Sequence, residues 1–192
     1  MMVNRLTTLG ALLAAILPLA AAAQTKPKTA PAVASPERTG VADPGPAKAL
    51  GTAGSWTAYL AQNKEGKVCY VAGQPSKTDP SIKRAGVMAT VTHRTADQVV
   101  NVVSFAEGYP LNENANVLLE VGKDRFTLFA KDDSAWAATA DLDKAIVTAL
   151  GKEKRAVVRG TPKKGHATTD IYSLDGFPQA LALIDKACDV KR

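Results

Sequence analysis

From Ser55 onward, apolar side chains recur at every second position in short runs, a period that an extended strand satisfies and a helix does not. Trp56, Ala58 and Leu60 alternate with polar neighbours. Val68, Tyr70 and Ala72 repeat the pattern, followed by Val87, Ala89 and Val91 and then by Val99, Val103 and Phe105. Further strands are predicted at 117–121, 125–130, 135–138, 155–160 and 167–173, with Gly122-Lys123-Asp124 as a hairpin turn in which glycine accepts a positive φ. Strands this short, mostly without helices between them, argue against a parallel α/β sheet and for a mainly β antiparallel sandwich over residues 51–192.

Two segments break the period of two. Leu142, Ala145, Ile146, Ala149 and Leu150 lie at helical spacing, with Asp141 placed to cap the first turn and Gly151 to end the last. Phe177, Ala180, Leu181, Ile184 and Cys188 line one face of a second short helix, entered through Asp175-Gly176, with Pro178 in the first turn where a missing amide is harmless. Trp56, Phe126, Phe129, Trp136 and Phe177 are the bulky core candidates.

The N-terminus reads as an export signal. Arg5 is the one charge before an apolar run over 6–20, and Ala21-Ala22-Ala23 supplies the small side chains that signal peptidase requires, so cleavage is expected before Gln24. Residues 24–50 are rich in Pro and Ala and hold no aromatic side chain. They are expected to form a disordered linker, because such a segment buries too little surface to offset its ordering entropy. After cleavage no integral membrane segment is expected. The predicted residence is the periplasm or outer envelope.

In that oxidising setting the two cysteines, Cys69 on a strand and Cys188 on the last helix, permit one intramolecular pairing. The expected bridge pins the C-terminal helix to an early strand. A redox couple is disfavoured, since no Cys-x-x-Cys is present and both positions fall on apolar faces.

Chemistry is harder to find. The two histidines, His93 and His166, belong to no HExxH helix and no cluster at metal-ligand spacing, so no metal or cofactor is expected. Both read as solvated loop residues. Gly160-Thr161-Pro162-Lys163-Lys164-Gly165-His166-Ala167 has the outline of a phosphate loop, but His166 stands where Lys is needed and Ala167 where a magnesium-binding hydroxyl is needed. It reads as a hairpin loop. The acidic pairs Asp132-Asp133 and Asp141/Asp143 read as a turn and a helix start rather than a glycosidase pair. The net charge of 24 − 18 = +6 is dispersed and aromatics make up 5% of the chain, which argues against nucleic acid as a partner.

The ordered set Trp56, Cys69-Tyr70, Gly108-Tyr109-Pro110, Val121-Gly122, Phe126-Thr127-Leu128-Phe129, Asp133-Ser134-Ala135-Trp136, Val157-Val158-Arg159-Gly160-Thr161, Thr168 through Phe177, and Ala187-Cys188 resembles the invasion-associated locus B family of alphaproteobacteria over residues 52–189. The resemblance implies an exported periplasmic or outer-envelope protein with an immunoglobulin-like β-sandwich. It brings no catalytic residues with it.

The expected function is a non-enzymatic cell-envelope binding or interaction protein, contributing to host interaction or envelope homeostasis, whose partner is an envelope or host protein. The loops at Gly108-Tyr109-Pro110 and 162–166 are its recognition candidates. The interaction residues are Tyr109, Lys163, Lys164, His166, Asp170 and Tyr172, of which Asp170 and Tyr172 need partners if buried. The rivals are a periplasmic hydrolase using Asp170, His93 or His166, and a chaperone-like factor that lends a strand edge to its clients.

Overall fold

The computed structural model describes residues 46–62 and 64–192. The signal segment 1–23 and the linker as far as residue 45 lie outside the described residues. The chain runs β1 (Lys48–Ala53), β2 (Trp56–Gln62), β3 (Lys67–Gly73), β4 (Lys77–Asp79), β5 (Met88–Arg94), β6 (Val99–Ala106), β7 (Val117–Val121), β8 (Asp124–Lys131), β9 (Ser134–Trp136), α1 (Ala140–Leu150), β10 (Arg155–Gly160), β11 (Thr168–Ser173) and α2 (Phe177–Ala187). The order across the hydrogen-bonded sheet is β1-β2-β3-β5-β6-β9-β8-β7-β10-β11-β4. All the pairings are antiparallel. Over the described residues the fold is mainly β with two helices and sandwich-like, as the period of two predicts.

β8 belongs to both halves. Its first part pairs with β7 through Asp124 to Leu128 and its last part with β9 through Phe129 to Lys131, so one strand carries the sheet from one layer into the other. Across the interior, Phe105 of β6 meets Tyr172 of β11 edge-on at 5.7 Å. Trp56 packs edge-on against Phe177 at 4.9 Å and donates its indole N–H to the Ser173 carbonyl at 2.9 Å. An aromatic body in the core and a satisfied polar tip are what a buried tryptophan requires.

α2 starts at Gly176, whose φ of 81° belongs to the left-handed region. A Cβ there would strike the Ala53 carbonyl, so glycine is required on both counts. The helix is bonded to β3 through Cys69–Cys188, with Cα atoms 6.1 Å apart. α1 is capped by Thr139, whose hydroxyl accepts from the Leu142 N–H at 3.2 Å; Asp141, expected as the cap, lies inside the first turn. Asp143, one turn position on, is buried and accepts the Val103 N–H of β6 at 2.8 Å.

Four further readings of the sequence are corrected. Residues 48–50, assigned to the linker, open β1. They show no period of two because β1 is a sheet edge with a register shift between Ala49 and Gly51, and most of its side chains are exposed or half-exposed. The three-residue β4 was missed because its side chains are polar and only its backbone pairs. Phe129 is 44% exposed and Trp136 half-buried, both on the outer face of the sheet where β8 changes layers. His93, read as a solvated loop residue, is 1% exposed inside β5.

Candidate functional site

β11 presents Thr168, Asp170 and Tyr172 to the interior, a strand whose three inward positions are all polar. Tertiary partners make that tolerable. Glu107 continues the inward alternation of Val103 and Phe105 one step beyond β6 and is fully buried. Arg84 reaches in from residues 74–87, the excursion between β3 and β5, with 4% of its side chain exposed against 0% for Glu107 and Asp170.

The Arg84 guanidinium joins these groups. Nη2 lies 2.5 Å from Asp170 Oδ1, and Nη1 donates to the Glu107 carbonyl at 2.7 Å and sits 3.5 Å from Glu107 Oε2. Thr78 of β4 donates to the same Asp170 oxygen at 2.7 Å. Tyr109 donates to Glu107 Oε2 at 3.1 Å and exchanges a 2.6 Å hydrogen bond with the Thr168 hydroxyl. Its ring also lies under the guanidinium, 5.3 Å from ring centre to Cζ.

Two carboxyl groups face one guanidinium in this cluster. Burial, and then the charge of Asp170, push the Glu107 carboxyl up to about 7, against the opposing hydrogen bond from Tyr109 and the charge of Arg84. Burial raises the Tyr109 and Tyr172 phenols too, keeping both neutral. Burial works against the charge on Arg84, but the hydrogen bond and charge of Asp170 outweigh it and hold the guanidinium ionised. Glu107 Oε1, Asp170 Oδ2, Tyr172 OH and Arg84 Nε are buried without a hydrogen-bond partner.

Above the cluster, the two predicted recognition loops are joined. Leu111 and Pro162 form a bridge, Lys163 N–H donates to the Pro110 carbonyl at 2.9 Å, and Asn112 N–H donates to the Thr161 carbonyl at 2.9 Å. Lys163, Lys164 and His166 are exposed, and Lys163 pairs with Glu113 at 3.2 Å. The six interaction candidates therefore divide: Tyr109, Asp170 and Tyr172 converge on the interior cluster, while Lys163, Lys164 and His166 form a basic surface loop. Arg84 and Glu107 were missed, although Glu107 could be read from the period that runs through Val103 and Phe105.

His93 belongs to a second network. Its Nδ1 accepts the Asn101 N–H at 3.0 Å, which fixes the proton on Nε2, and Nε2 donates to Asp185 Oδ1 at 2.9 Å. Arg192 grips both oxygens of Asp185 and the Asn101 side chain. Burial lowers the His93 pKa, against the pull of Asp185. A surface cleft of about 420 Å³ beside this network is lined by residues including Val99, Val100 and Cys188. Among the described residues no group of three or more His, Cys, Asp or Glu side chains is placed to hold a metal ion, and no helix is long and apolar enough to cross a membrane.

Residues 56–185 match the family model described as invasion associated locus B protein. The crystal structure of invasion associated protein B from Bartonella henselae superposes with a TM-score of 0.52 at 19% identity, covering 72% of this chain and 97% of that one. At that identity the likeness is one of fold. No curated protein matches the chain.

Proposed function

The chain belongs to the invasion associated locus B family, and on that footing we propose that it is a non-catalytic binding module of the cell envelope, exported to the periplasm or outer envelope, where it engages an envelope or host protein. The Cys69–Cys188 bond is consistent with a location outside the cytoplasm. The observation that carries the proposal is the division at the candidate site. The acidic and phenolic side chains Glu107, Asp170 and Tyr172 are sealed in the interior, whereas the exposed groups, Lys163, Lys164 and His166, stand on one loop that backbone hydrogen bonds fasten to residues 110–112. A rigid scaffold carrying a fixed basic loop suits recognition of an acidic protein surface.

The hydrolase reading needs His93, His166 or Asp170 in one cleft with a nucleophile. His93 is instead tied to Asp185 and Asp170 to Arg84, in separate networks, while His166 lies on the surface. The strand-lending reading needs a long free edge. Among the described residues the sheet edges are β1, which is bulged, and the three-residue β4.

The test is site-specific photocrosslinking in intact cells from position 164, compared with position 123 in the β7–β8 turn. A discrete protein adduct at 164 and none at 123 is expected. Equal, diffuse labelling from both positions would defeat the proposal.

A further inference from the structure

The segment 74–87 is held to the rest of the protein in an unusual way. None of its residues belongs to the buried core, and Ile82, its largest apolar side chain, is 48% exposed. What fastens it is polar. Ser76 donates its N–H and its hydroxyl to the Ile171 carbonyl at 2.7 and 2.9 Å, Lys77, Thr78 and Asp79 pair with β11, and Arg84 is plugged into the interior. A segment with few apolar contacts opens locally at a lower free energy than the core. The strength of its fastening therefore depends on the socket that receives Arg84.

We propose that Arg84, Glu107 and Asp170 form a proton-operated clasp: one proton shared between the two carboxyl groups fastens segment 74–87 against β11, and loss of that proton loosens it.

The geometry supports this in three ways. With both carboxyls ionised, the buried socket holds two anions and one guanidinium. With Glu107 protonated, it holds one of each. Glu107 Oε1 and Asp170 Oδ2 are both buried without a hydrogen-bond partner, so with both groups ionised two desolvated anionic oxygens have no donor, and a proton on Glu107 removes one of the two charges. Among the described residues no other charged group relieves the socket. β11 contributes Asp170, the Tyr172 phenol and the Thr168 hydroxyl, the loop after β6 contributes the Tyr109 phenol, the incoming segment contributes Arg84 and Thr78, and β10 approaches Glu107 with Gly160, which has no side chain. The Asp133 side chain nearby is engaged with Ser134.

The direction follows from linkage. In the open form Glu107 is hydrated and titrates near its ordinary value of 4.5, whereas in the closed form it titrates at about 7. The open fraction therefore rises on the order of tenfold per pH unit between about pH 5 and 6.5 and levels off above about 7. Acid closes the clasp, and an exported protein meets the pH of its surroundings rather than that of the cytoplasm.

The test is amide hydrogen exchange of the full secreted chain at pH 5, 6, 7 and 8, read as protection factors so that the intrinsic base catalysis of exchange is removed. Residues 76–79 should lose protection by more than tenfold from pH 5 to 7 and little thereafter, while remaining less protected than β5 at every pH. In Glu107→Gln, which keeps an acceptor for Tyr109 but cannot ionise, the loss should vanish. Unchanged wild-type protection, the same fall in Glu107→Gln, or exchange of 76–79 at the same free energy as β5 would each overturn the clasp. Carbon-13 titration of the Glu107 carboxyl in the wild-type protein decides independently of whether that variant folds: a midpoint near 7 sustains the clasp, and one in the ordinary carboxylate range removes it.

Discussion

The two buried polar networks use the same side-chain types and differ in how their charges add up. Around His93, one carboxylate (Asp185) meets one guanidinium (Arg192), and the imidazole is neutral with both ring nitrogens engaged. Around Arg84, two carboxyl groups meet one guanidinium and four buried polar atoms have no hydrogen-bond partner. The first network adjoins the disulfide, since His93 is the cross-strand partner of Cys69. The second anchors a segment that places no side chain in the buried apolar core. A charge-balanced, fully bonded network acts as a rivet that an added proton weakens, whereas one carrying an odd negative charge is strengthened by a proton.

The largest effect should come from breaking the disulfide beside the rivet. Replacing both cysteines, Cys69→Ser with Cys188→Ser, releases a 119-residue separation and should cost about 4–5 kcal/mol by the loop-entropy estimate, an upper figure. Urea unfolding measures it. A cost below about 1 kcal/mol would mean that α2 is held by its apolar face alone.

Removing the guanidinium from each network comes next. Arg84→Met leaves two buried carboxyls with no cation and should cost about 3–4 kcal/mol at pH 7, with the loss shrinking toward pH 5 as protons replace the missing charge. Arg192→Met removes a side chain that is 37% exposed, so water takes over part of its role, and the loss should be under about 1 kcal/mol. Equal losses would erase the distinction between the networks.

The pH dependences should have opposite signs. Glu107 is raised from 4.5 to about 7 in the folded protein, so the unfolded chain gives up its proton first and stability falls by about 3 kcal/mol as the pH rises from 4.5 to 7. His93 is lowered, so the unfolded chain takes up a proton first and stability is lost as the pH falls below about 6.5. Unfolding free energies from pH 4.5 to 8 in Glu107→Gln and His93→Gln separate the two: each substitution should flatten its own limb of the profile and spare the other.

Much of this was legible in the residues. The period of two located nine of the eleven strands among the described residues, and the expectation of export together with a single possible cysteine pairing anticipated the disulfide. β1 and β4 were lost because a sheet edge needs only backbone, which carries no pattern of side chains. Asp170 and Tyr172 were visible as polar groups on a strand, but their partners lie far off: Arg84 is 86 residues from Asp170, in a run of exposed residues without periodicity. His93 and Glu107 were more readable than they were taken to be, since each extends an inward alternation, Ala89–Val91–His93 and Val103–Phe105–Glu107. A titratable residue that keeps step with a buried period is more informative than its chemistry alone, because the fold must then supply its partner.

The smallest stability effect separates the recognition loop from both networks. Lys163, Lys164 and His166 are exposed, and the Lys163–Glu113 pair is half in water on both sides, with side chains 54% and 53% accessible. Changing all three residues to serine should therefore move the unfolding free energy by less than about 0.5 kcal/mol. The loop's shape rests on backbone hydrogen bonds from Lys163 N–H and Asn112 N–H, which the substitutions leave in place. If the loop is the recognition surface, the same variant should lose its adducts in cells at unchanged stability. Adducts that persist would shift recognition away from the loop, whereas a large loss of stability would tie it to the interior cluster below.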